Sequence, residues 1–468
     1  MFSEIFIHNF KPFGTEQRVR LAPITLIYGP NSAGKSSLIQ SLLMIKQSVE
    51  SRTPNSSSAL ITQGEYTNLG TFKSLIHKHE GDRELGIGVK IEGGLAKYIS
   101  NVSVDTFYQK IGNGEHCYLS KVKYSKEIDG IPYSISLEKM DDAIDSEEDS
   151  VFSRAEFRIN EEDGSIQDAM NWIKAVIDKM SKKQKETRLR GNTDLIVEED
   201  FQEATFLQDY FLPYIIKEKN TLNRSPLSLN FHYLFKTIPS SYYRAFSELK
   251  YLGPLRLQPS RQYTMGETSS VGIRGENSPH IIYQGGKKTT THINKWFKQF
   301  EMPYELEAKS IGDDTTGAII TLTLTDKRTS TKVATTDVGF GVGQIMPILV
   351  EGLISQEKVI CVEQPEIHLH PRLQAHLGDF FIETATKKNR ATQWILETHS
   401  ETLMLRLQRR IRQKKIKPED VSVLYVQPAV GEGSVIMELE LDEKGRFLDE
   451  WPDGFFEEGY REMYEEGK

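Results

Sequence analysis

The chain has 468 residues, of which 38% are hydrophobic and 26% charged, and its net charge is −8. This composition is typical of a globular protein with two to four domains, or with one large domain that carries an insertion. The acidic balance argues against a protein that binds nucleic acid through its overall charge. Two distant cysteines exclude a disulfide framework, and no leader or long apolar run is evident, so we expect a cytoplasmic protein without membrane contacts.

The first motif is a phosphate loop. An alternating N-terminal segment predicts a hairpin that leads into the apolar run 24–28, and residues 29–36 then read Gly-Pro-Asn-Ser-Ala-Gly-Lys-Ser before a helix-forming run. The pattern G-x-x-x-x-G-K-[ST] therefore stands in the strand–loop–helix setting that phosphate binding requires. Lys35 would reach the β and γ phosphates of ATP, and Ser36 would bind Mg²⁺. The predicted nucleotide-binding residues of this segment are Gly29, Asn31, Ser32, Ala33, Gly34, Lys35, Ser36 and Ser37.

The middle of the chain changes its pattern twice. Short alternating runs between residues 81 and 164 predict an antiparallel β lobe, which an acidic loop interrupts. Apolar residues at a spacing of three or four then predict a helical insertion over 165–250. Strand patterns return near residue 318 and dominate the remaining sequence.

Two apolar runs in the last third predict the other half of the site. The run 359–363 ends in Glu363, and we expect it to form a buried strand beside the phosphate-loop strand, with its terminal acid holding Mg²⁺ or the water around it. The alternative is an acid that merely ends a strand. The run 394–398 precedes His399, which would face the ligand crevice at the carboxyl end of a parallel strand. A lone histidine is more often structural, but its position after Glu363 favours a functional role.

A glycine-rich segment precedes the apolar run 345–354. Glycines before a helix build a phosphate-binding N-terminus, and one nucleotide site needs only one such cradle. The segment is therefore interpreted as a signature that caps the γ-phosphate of a nucleotide held by another subunit, and a plain turn is the alternative. The signature residues are Gly339, Gly341, Gly343 and Gln344.

In this order, the phosphate loop, the glycine signature, the acidic strand end and the histidine resemble the ABC and SMC type of ATPase head. A closer resemblance is to the OLD-like branch of AAA family ATPases without a Toprim nuclease, such as the ATPase subunits of PARIS-type or Septu-type anti-phage systems. The segments 363–371, 251–256 and 451–456 carry it. The resemblance implies an α/β fold, namely an ABC/SMC-like P-loop ATPase head with a mixed sheet and flanking helices, an antiparallel β lobe and a helical insertion. The implied parts are the two halves of the head at 1–80 and 251–456, the β lobe at 81–164, the insertion at 165–250 and an acidic tail at 457–468.

The same resemblance implies roles for residues near the nucleotide. Glu363 would be the metal-binding acid and His399 the switch histidine. Asn9 and Phe10 would lie near the adenine, and Gln63 would be a further Mg²⁺ ligand that senses the metal.

One position departs from the family pattern. Gln364 stands where cassette ATPases usually place the catalytic glutamate. Glutamine orients a water but cannot accept its proton, so hydrolysis by that route should be slow. Glu366 is the candidate replacement, and the predicted catalytic residues are Glu363, Gln364, Glu366 and His399.

Two functions are open at this point. The first is an ATP-dependent sensor or scaffold that forms a homo-oligomer through composite nucleotide sites and controls a separate effector, a toxic nuclease, in response to a phage protein. The insertion at 165–250 would contact subunits or the effector. The second is a DNA-clamping repair or recombination ATPase of the SMC/RecF type, which the acidic charge and the lack of long coiled-coil arms argue against.

Overall fold

The structure is a computed structural model that describes residues 1–51, 58–92, 101–139, 156–159, 168, 171–172, 205–207, 214–217, 226–313, 317–387, 391–431 and 433–454. The chain divides into two compact units, each built from segments that are far apart in sequence. The first unit draws on residues 1–20, 37–248 and 428–435, and the second on residues 21–36, 249–427 and 436–468. Across the described residues, no helix has both the length and the apolar character needed to cross a membrane.

The first unit contains a nine-stranded sheet in the order β10-β9-β8-β7-β6-β5-β4-β1-β2, and its strand pairs are antiparallel. The alternating patterns of the sequence produce it, because side chains on a strand point to opposite faces in turn. Its strands are β1 (Phe2–His8), β2 (Gln17–Arg20), β4 (Leu85–Ile91), β5 (Val102–Ile111), β6 (His116–Ile128), β7 (Ile131–Lys139), β8 (Glu156–Ile159), β9 (Thr205–Leu207) and β10 (Tyr214–Lys217).

The helical insertion predicted for 165–250 is wrong in part. Strands β9 and β10 lie inside that range and extend the sheet, while the described helix of the range, α3, spans Pro226–Ser247. An open sheet edge offers unpaired backbone N–H and C=O groups. Short segments rich in aromatic and β-branched residues form hydrogen bonds with such an edge even where the surrounding sequence has a helical spacing of apolar residues. Apart from residues 168, 171–172 and 248–250, the rest of the predicted insertion lies outside the described residues. Two further helices are α1 (Lys35–Glu50), which begins at the end of the phosphate loop, and α2 (Phe72–Leu75).

The second unit contains a six-stranded sheet in the order β11-β16-β17-β3-β18-β19. Pairing from β11 through β18 is parallel. The strands β3, β16, β17 and β18 are largely apolar and buried on both faces, as parallel sheets require, and all five residues of β3 are buried. The strands are β3 (Ile24–Tyr28), β11 (Lys250–Leu252), β16 (Val359–Glu363), β17 (Gln393–Glu397), β18 (Val421–Gln427) and β19 (Val435–Glu438).

The strand order corrects one prediction. The acidic strand β16 does not lie beside the phosphate-loop strand β3, because β17 pairs with both of them and lies between them. Strand order depends on how the crossover helices fold over the sheet, and local patterns do not encode it. The consequence is that a second acidic residue, Glu397 at the end of β17, stands between Glu363 and the phosphate loop.

Helices and a smaller sheet complete the second unit. The smaller sheet has the order β12-β14-β13, with β15 paired to β14, and its pairs are antiparallel. Its strands are β12 (Tyr263–Thr264), β13 (Tyr304–Asp313), β14 (Gly317–Asp326) and β15 (Thr331–Ala334). The helices are α4 (Ser278–Gln284), α5 (Gly286–Gln299), α6 (Phe340–Ile354), α7 (Pro371–Ala385) and α8 (Glu401–Arg412).

Helix α6 begins earlier than the sequence pattern predicts. It starts at Phe340 rather than near residue 345, so Gly341, Gly343 and Gln344 lie in its first turns and Gly339 is its N-cap. Glycine weakens a helix by about 1 kcal/mol, which is why the pattern predicts a loop there. Packing explains the difference, since a Cβ atom on Gly343 would lie only 2.7 Å from the side chain of Pro259.

Candidate nucleotide and cation site

The phosphate loop links β3 to α1 and has the backbone shape of an anion cradle. Gly29 has a φ of 142°, and a Cβ atom there would collide with the carbonyl oxygen of Val426 on the neighbouring strand β18. Ser32 and Gly34 also have positive φ angles, of 63° and 109°. These turns direct successive N–H groups toward one side, where the N-terminus of α1 adds partial positive charge.

Lys35 is buried within the loop that it belongs to. Its ammonium group donates to the carbonyl oxygens of Gly29 at 2.9 Å and Pro30 at 2.8 Å, and the residue is 5% exposed. Burial lowers the pKa of Lys35, and the nearby carboxylate of Glu397 opposes that shift. A bound triphosphate offers this ammonium stronger, charged acceptors than backbone carbonyls.

Two carboxylates meet at the ends of neighbouring strands. Glu363 of β16 and Glu397 of β17 are register partners in the parallel sheet, and Ser36 donates from Oγ to Glu397 Oε1 at 3.0 Å. Burial, and then the charge of Glu397, raise the pKa of Glu363 to about 7. Burial likewise raises the pKa of Glu397, although Ser36 and Lys35 oppose that shift.

The segment 250–256 holds Glu363 and the turn after it. Tyr251 donates from its hydroxyl to Glu363 Oε1 at 2.9 Å. The buried Arg256 donates to the carbonyl oxygens of Glu363 at 2.8 Å and Gln364 at 3.1 Å. The sequence of this segment assigns its residues no role, because each contact joins residues more than a hundred positions apart in the chain.

Gln364 has an unusual backbone conformation. Its φ is 45°, which costs a residue with a side chain on the order of 1 kcal/mol. Its N–H donates to the carbonyl oxygen of Glu397 at 2.8 Å, and its own carbonyl accepts from Arg256. The turn after β16 is thus held from β17 on one side and from Arg256 on the other.

Glu366 is fully engaged with the segment that follows β17. Its Oε2 accepts from the Thr398 hydroxyl and its Oε1 from the His399 backbone N–H, both at 2.7 Å. With both oxygens bonded, this carboxylate positions the histidine in the conformation described. His399 is exposed to solvent overall, yet partial desolvation of its ring, followed by repulsion from Lys35, lowers its pKa.

The signature residues divide into an exposed and a buried set. Gly339 is exposed before α6, Gly341 is half-buried, and Gly343 and Gln344 are buried; Phe340, the first residue of the helix, is exposed as well. Gln344 and Phe340 line a cavity of about 500 Å³ together with Arg256, Arg274 and His368. Their predicted contact with another subunit's nucleotide stays a prediction.

Four predicted residues belong to the first unit, and their roles at the nucleotide stay predictions. Asn9 is buried, and its Nδ2 donates to the Glu84 carbonyl oxygen at 2.9 Å. Phe10 is fully buried, and Gln63 is exposed and forms an isolated bridge with Asn68. Ser37 follows the loop in helix α1 and is buried.

The basic run at residues 409–415 is partly neutralised. Arg410 contacts Asp379 through two nitrogens, at 2.6 and 2.8 Å, and Arg406 contacts the same carboxylate at 2.9 Å. These contacts join helix α8 to helix α7.

The donor set fits a hard divalent cation. Two carboxylates and a serine hydroxyl supply oxygen ligands, which Mg²⁺ prefers. One of these atoms, Glu397 Oε2, is buried and has no hydrogen-bond partner among the described residues. Within the same ranges, no group of three or more His, Cys, Asp or Glu residues is arranged to hold a metal.

Comparison with family models identifies the same class of site. Residues 4–225 match the model described as an AAA domain, and residues 256–404 match the model described as an AAA ATPase domain. Both halves of the head therefore carry AAA-type sequence. This is a P-loop ATPase. The finding confirms the predicted α/β P-loop ATPase fold and supports ATP with Mg²⁺ as its cofactors. A third model, described as a protein of unknown function (DUF3696), matches residues 416–465 of the ATPase.

Solved structures similar to the ATPase are SMC heads. The SMC head domain from Thermotoga maritima is 11% identical, with 94% of this chain and 99% of that chain covered and a TM-score of 0.39. An SMC head bound to the C-winged helix domain of ScpA is 9% identical, with 94% and 98% covered and a TM-score of 0.45. An SMC head from Pyrococcus furiosus with an extended coiled coil is 11% identical, with 94% and 96% covered and a TM-score of 0.38. No curated protein matches the chain.

Proposed function

We propose that this ATPase binds ATP with Mg²⁺, hydrolyses it slowly, and uses the bound nucleotide to hold an oligomer that controls a separate effector protein. The observation that carries the proposal is the site at the ends of β16 and β17. It combines a phosphate loop and oxygen ligands for a cation with a glutamine where the catalytic base usually stands.

Slow turnover follows from the groups around the attacking water. Gln364 has no proton-accepting group, and Glu366 already accepts two hydrogen bonds from the segment of His399. A positioned general base contributes about 10²- to 10⁴-fold to such a reaction. Ser36 and Glu363 would hold the cation that accompanies the nucleotide, and that cation would offset negative charge on the phosphates.

Assembly would use the start of helix α6. The exposed Gly339 and Phe340 present backbone N–H groups at a helix N-terminus, a place suited to the γ-phosphate of a nucleotide in a second subunit. The resulting homo-oligomer would hold or release a nuclease effector when a phage protein is present, as in the anti-phage systems that the sequence resembles. By the same resemblance, we propose that the protein is cytoplasmic.

Mass measurement and hydrolysis assays test the proposal together. The wild-type chain should form a larger assembly with ATP than with ADP, and the Lys35→Ala variant should bind no nucleotide and form no such assembly. Duplex DNA should leave the hydrolysis rate unchanged. A dimer whose hydrolysis is stimulated by DNA would instead favour the DNA-clamping alternative. Purification of the chain with its neighbouring gene products would identify the effector.

A further inference from the structure

Glu397 has an oxygen that the described part of the chain leaves without a partner. The residue is 6% exposed, its Oε1 accepts from Ser36, and its Oε2 is buried without a hydrogen bond. A buried polar atom without a partner costs about 1–3 kcal/mol, and more when the group is charged. Such an atom beside a phosphate loop indicates a missing ligand of positive charge.

The neighbouring groups do not supply that charge. Glu363, the register partner of Glu397, is a second carboxylate. The charge of Lys35 opposes the rise that burial causes in the pKa of Glu397. Its ammonium nevertheless donates to the carbonyl oxygens of Gly29 and Pro30 and not to the carboxylate. Among the described residues, no salt bridge involves either carboxylate.

We propose that Ser36, Glu363 and Glu397 hold a divalent cation of the Mg²⁺ or Mn²⁺ type before any nucleotide is bound. P-loop sites commonly receive the cation with the triphosphate, because one carboxylate and one hydroxyl hold it weakly. Here Glu397 adds a second carboxylate, which already accepts a hydrogen bond from the serine that would be a ligand. The free nucleotide then enters a site that is loaded with metal. This proposal rests on the proposed nucleotide site, since both use Ser36 and Glu363.

The two carboxylates have different tasks in this arrangement. Glu363 is oriented by Tyr251, whose hydroxyl donates to Oε1 and leaves the other oxygen for the metal. Glu397 offers Oε2 in the same way, since Ser36 occupies its Oε1. Water molecules would complete the coordination until phosphate oxygens replace some of them.

The test measures Mn²⁺ binding to the full chain without nucleotide, by the electron paramagnetic resonance signal of free Mn²⁺. The wild type should bind one ion per chain, and Glu397→Gln should weaken that affinity at least tenfold. The matched control is Glu401→Gln, which removes an exposed carboxylate four positions further on and should bind like the wild type. Mn²⁺ should also raise the unfolding temperature of the wild type but not that of Glu397→Gln, and a cooperative unfolding transition of the variant shows that it is folded.

Nucleotide binding is measured separately with a fluorescent ATP analogue. Lys35→Ala should lose the analogue and keep Mn²⁺, whereas Glu397→Gln should show the larger loss for Mn²⁺. If the wild type binds the analogue but no Mn²⁺ in its absence, or if Glu397→Gln binds Mn²⁺ like the wild type, the inference is overturned and the proposed function stands. If the wild type binds Mn²⁺ but no analogue, the proposed function fails and the inference stands.

Discussion

Replacing Arg256 with methionine separates the positioning of the site from the stability of the fold. The guanidinium is 4% exposed and donates to the carbonyl oxygens of Glu363 and Gln364. Hydrogen bonds from a charged group contribute about 1.5–3 kcal/mol each, so the pair is worth about 3–6 kcal/mol. Burial lowers the pKa of Arg256 from its ordinary value to about 10. Since a tenfold change in an equilibrium constant corresponds to about 1.4 kcal/mol, holding the charge there costs about 3 kcal/mol.

The balance predicts a small effect on stability and a large effect on catalysis. Methionine fills a similar volume without a charge, so the free energy of unfolding should fall by no more than about 3 kcal/mol. The turn that carries Gln364 should lose its fixed position. We therefore expect kcat to fall about 10- to 100-fold, as it does when other residues that orient an active-site group through hydrogen bonds are removed. Nucleotide affinity, which depends mainly on the phosphate loop, should change much less.

The assay combines thermal unfolding, binding of the fluorescent ATP analogue and steady-state hydrolysis. The control is Arg274→Met, which removes an exposed arginine from the wall of the same cavity and should alter none of the three. Arg256→Lys should recover part of kcat, because it retains a donor for one carbonyl. An Arg256→Met protein that is strongly destabilised but has unchanged kcat per folded molecule would refute the reasoning.

Three further predictions concern the carboxylates. If Glu366 positions the histidine segment, Glu366→Gln should lower kcat about 10- to 100-fold, and Thr398→Val should lower kcat as well. If Glu366 were instead the catalytic base, Thr398→Val should keep full activity. Gln364→Glu should raise the hydrolysis rate at least tenfold, and an unchanged rate would mean that another group already serves as base. Because the pKa of Glu363 is raised from 4.5 to about 7, the cation-free fold binds a proton that the unfolded chain releases. The contribution of this bound proton to the free energy of unfolding is complete below pH 4.5 and is lost as the pH rises to about 7, by at most about 3 kcal/mol. Unfolding measured in EDTA should show this loss in the wild type and not in Glu363→Gln.

Local sequence was sufficient to predict the parts of the site that depend on neighbouring residues. The phosphate loop, strand β16 with Glu363, and strand β17 before His399 all follow from apolar runs and the residues that end them. A strand buried on both faces and a loop rich in glycine leave strong local signals.

The remaining features depend on contacts between distant segments. In the sequence, nothing distinguishes Glu397 from the other residues at the end of its apolar run. It lies beside Ser36 only because β17 is placed between β16 and β3. Arg256 reads as an ordinary arginine after a short strand, because the two carbonyl oxygens that it binds are more than a hundred positions away. The early start of α6 depends likewise on the packing of Pro259 against Gly343.

The order of the strands also has a consequence for synthesis of the protein. Strand β3 is made hundreds of residues before its two neighbours in the sheet, β17 and β18. At roughly 5–20 residues per second, β3 waits for its partners on the order of tens of seconds. During that interval a fully apolar strand has no sheet to join and is a target for chaperones. A ribosome that stalls before β18 leaves a product without the strand that packs against Gly29, so only chains translated through that point can acquire a complete phosphate loop.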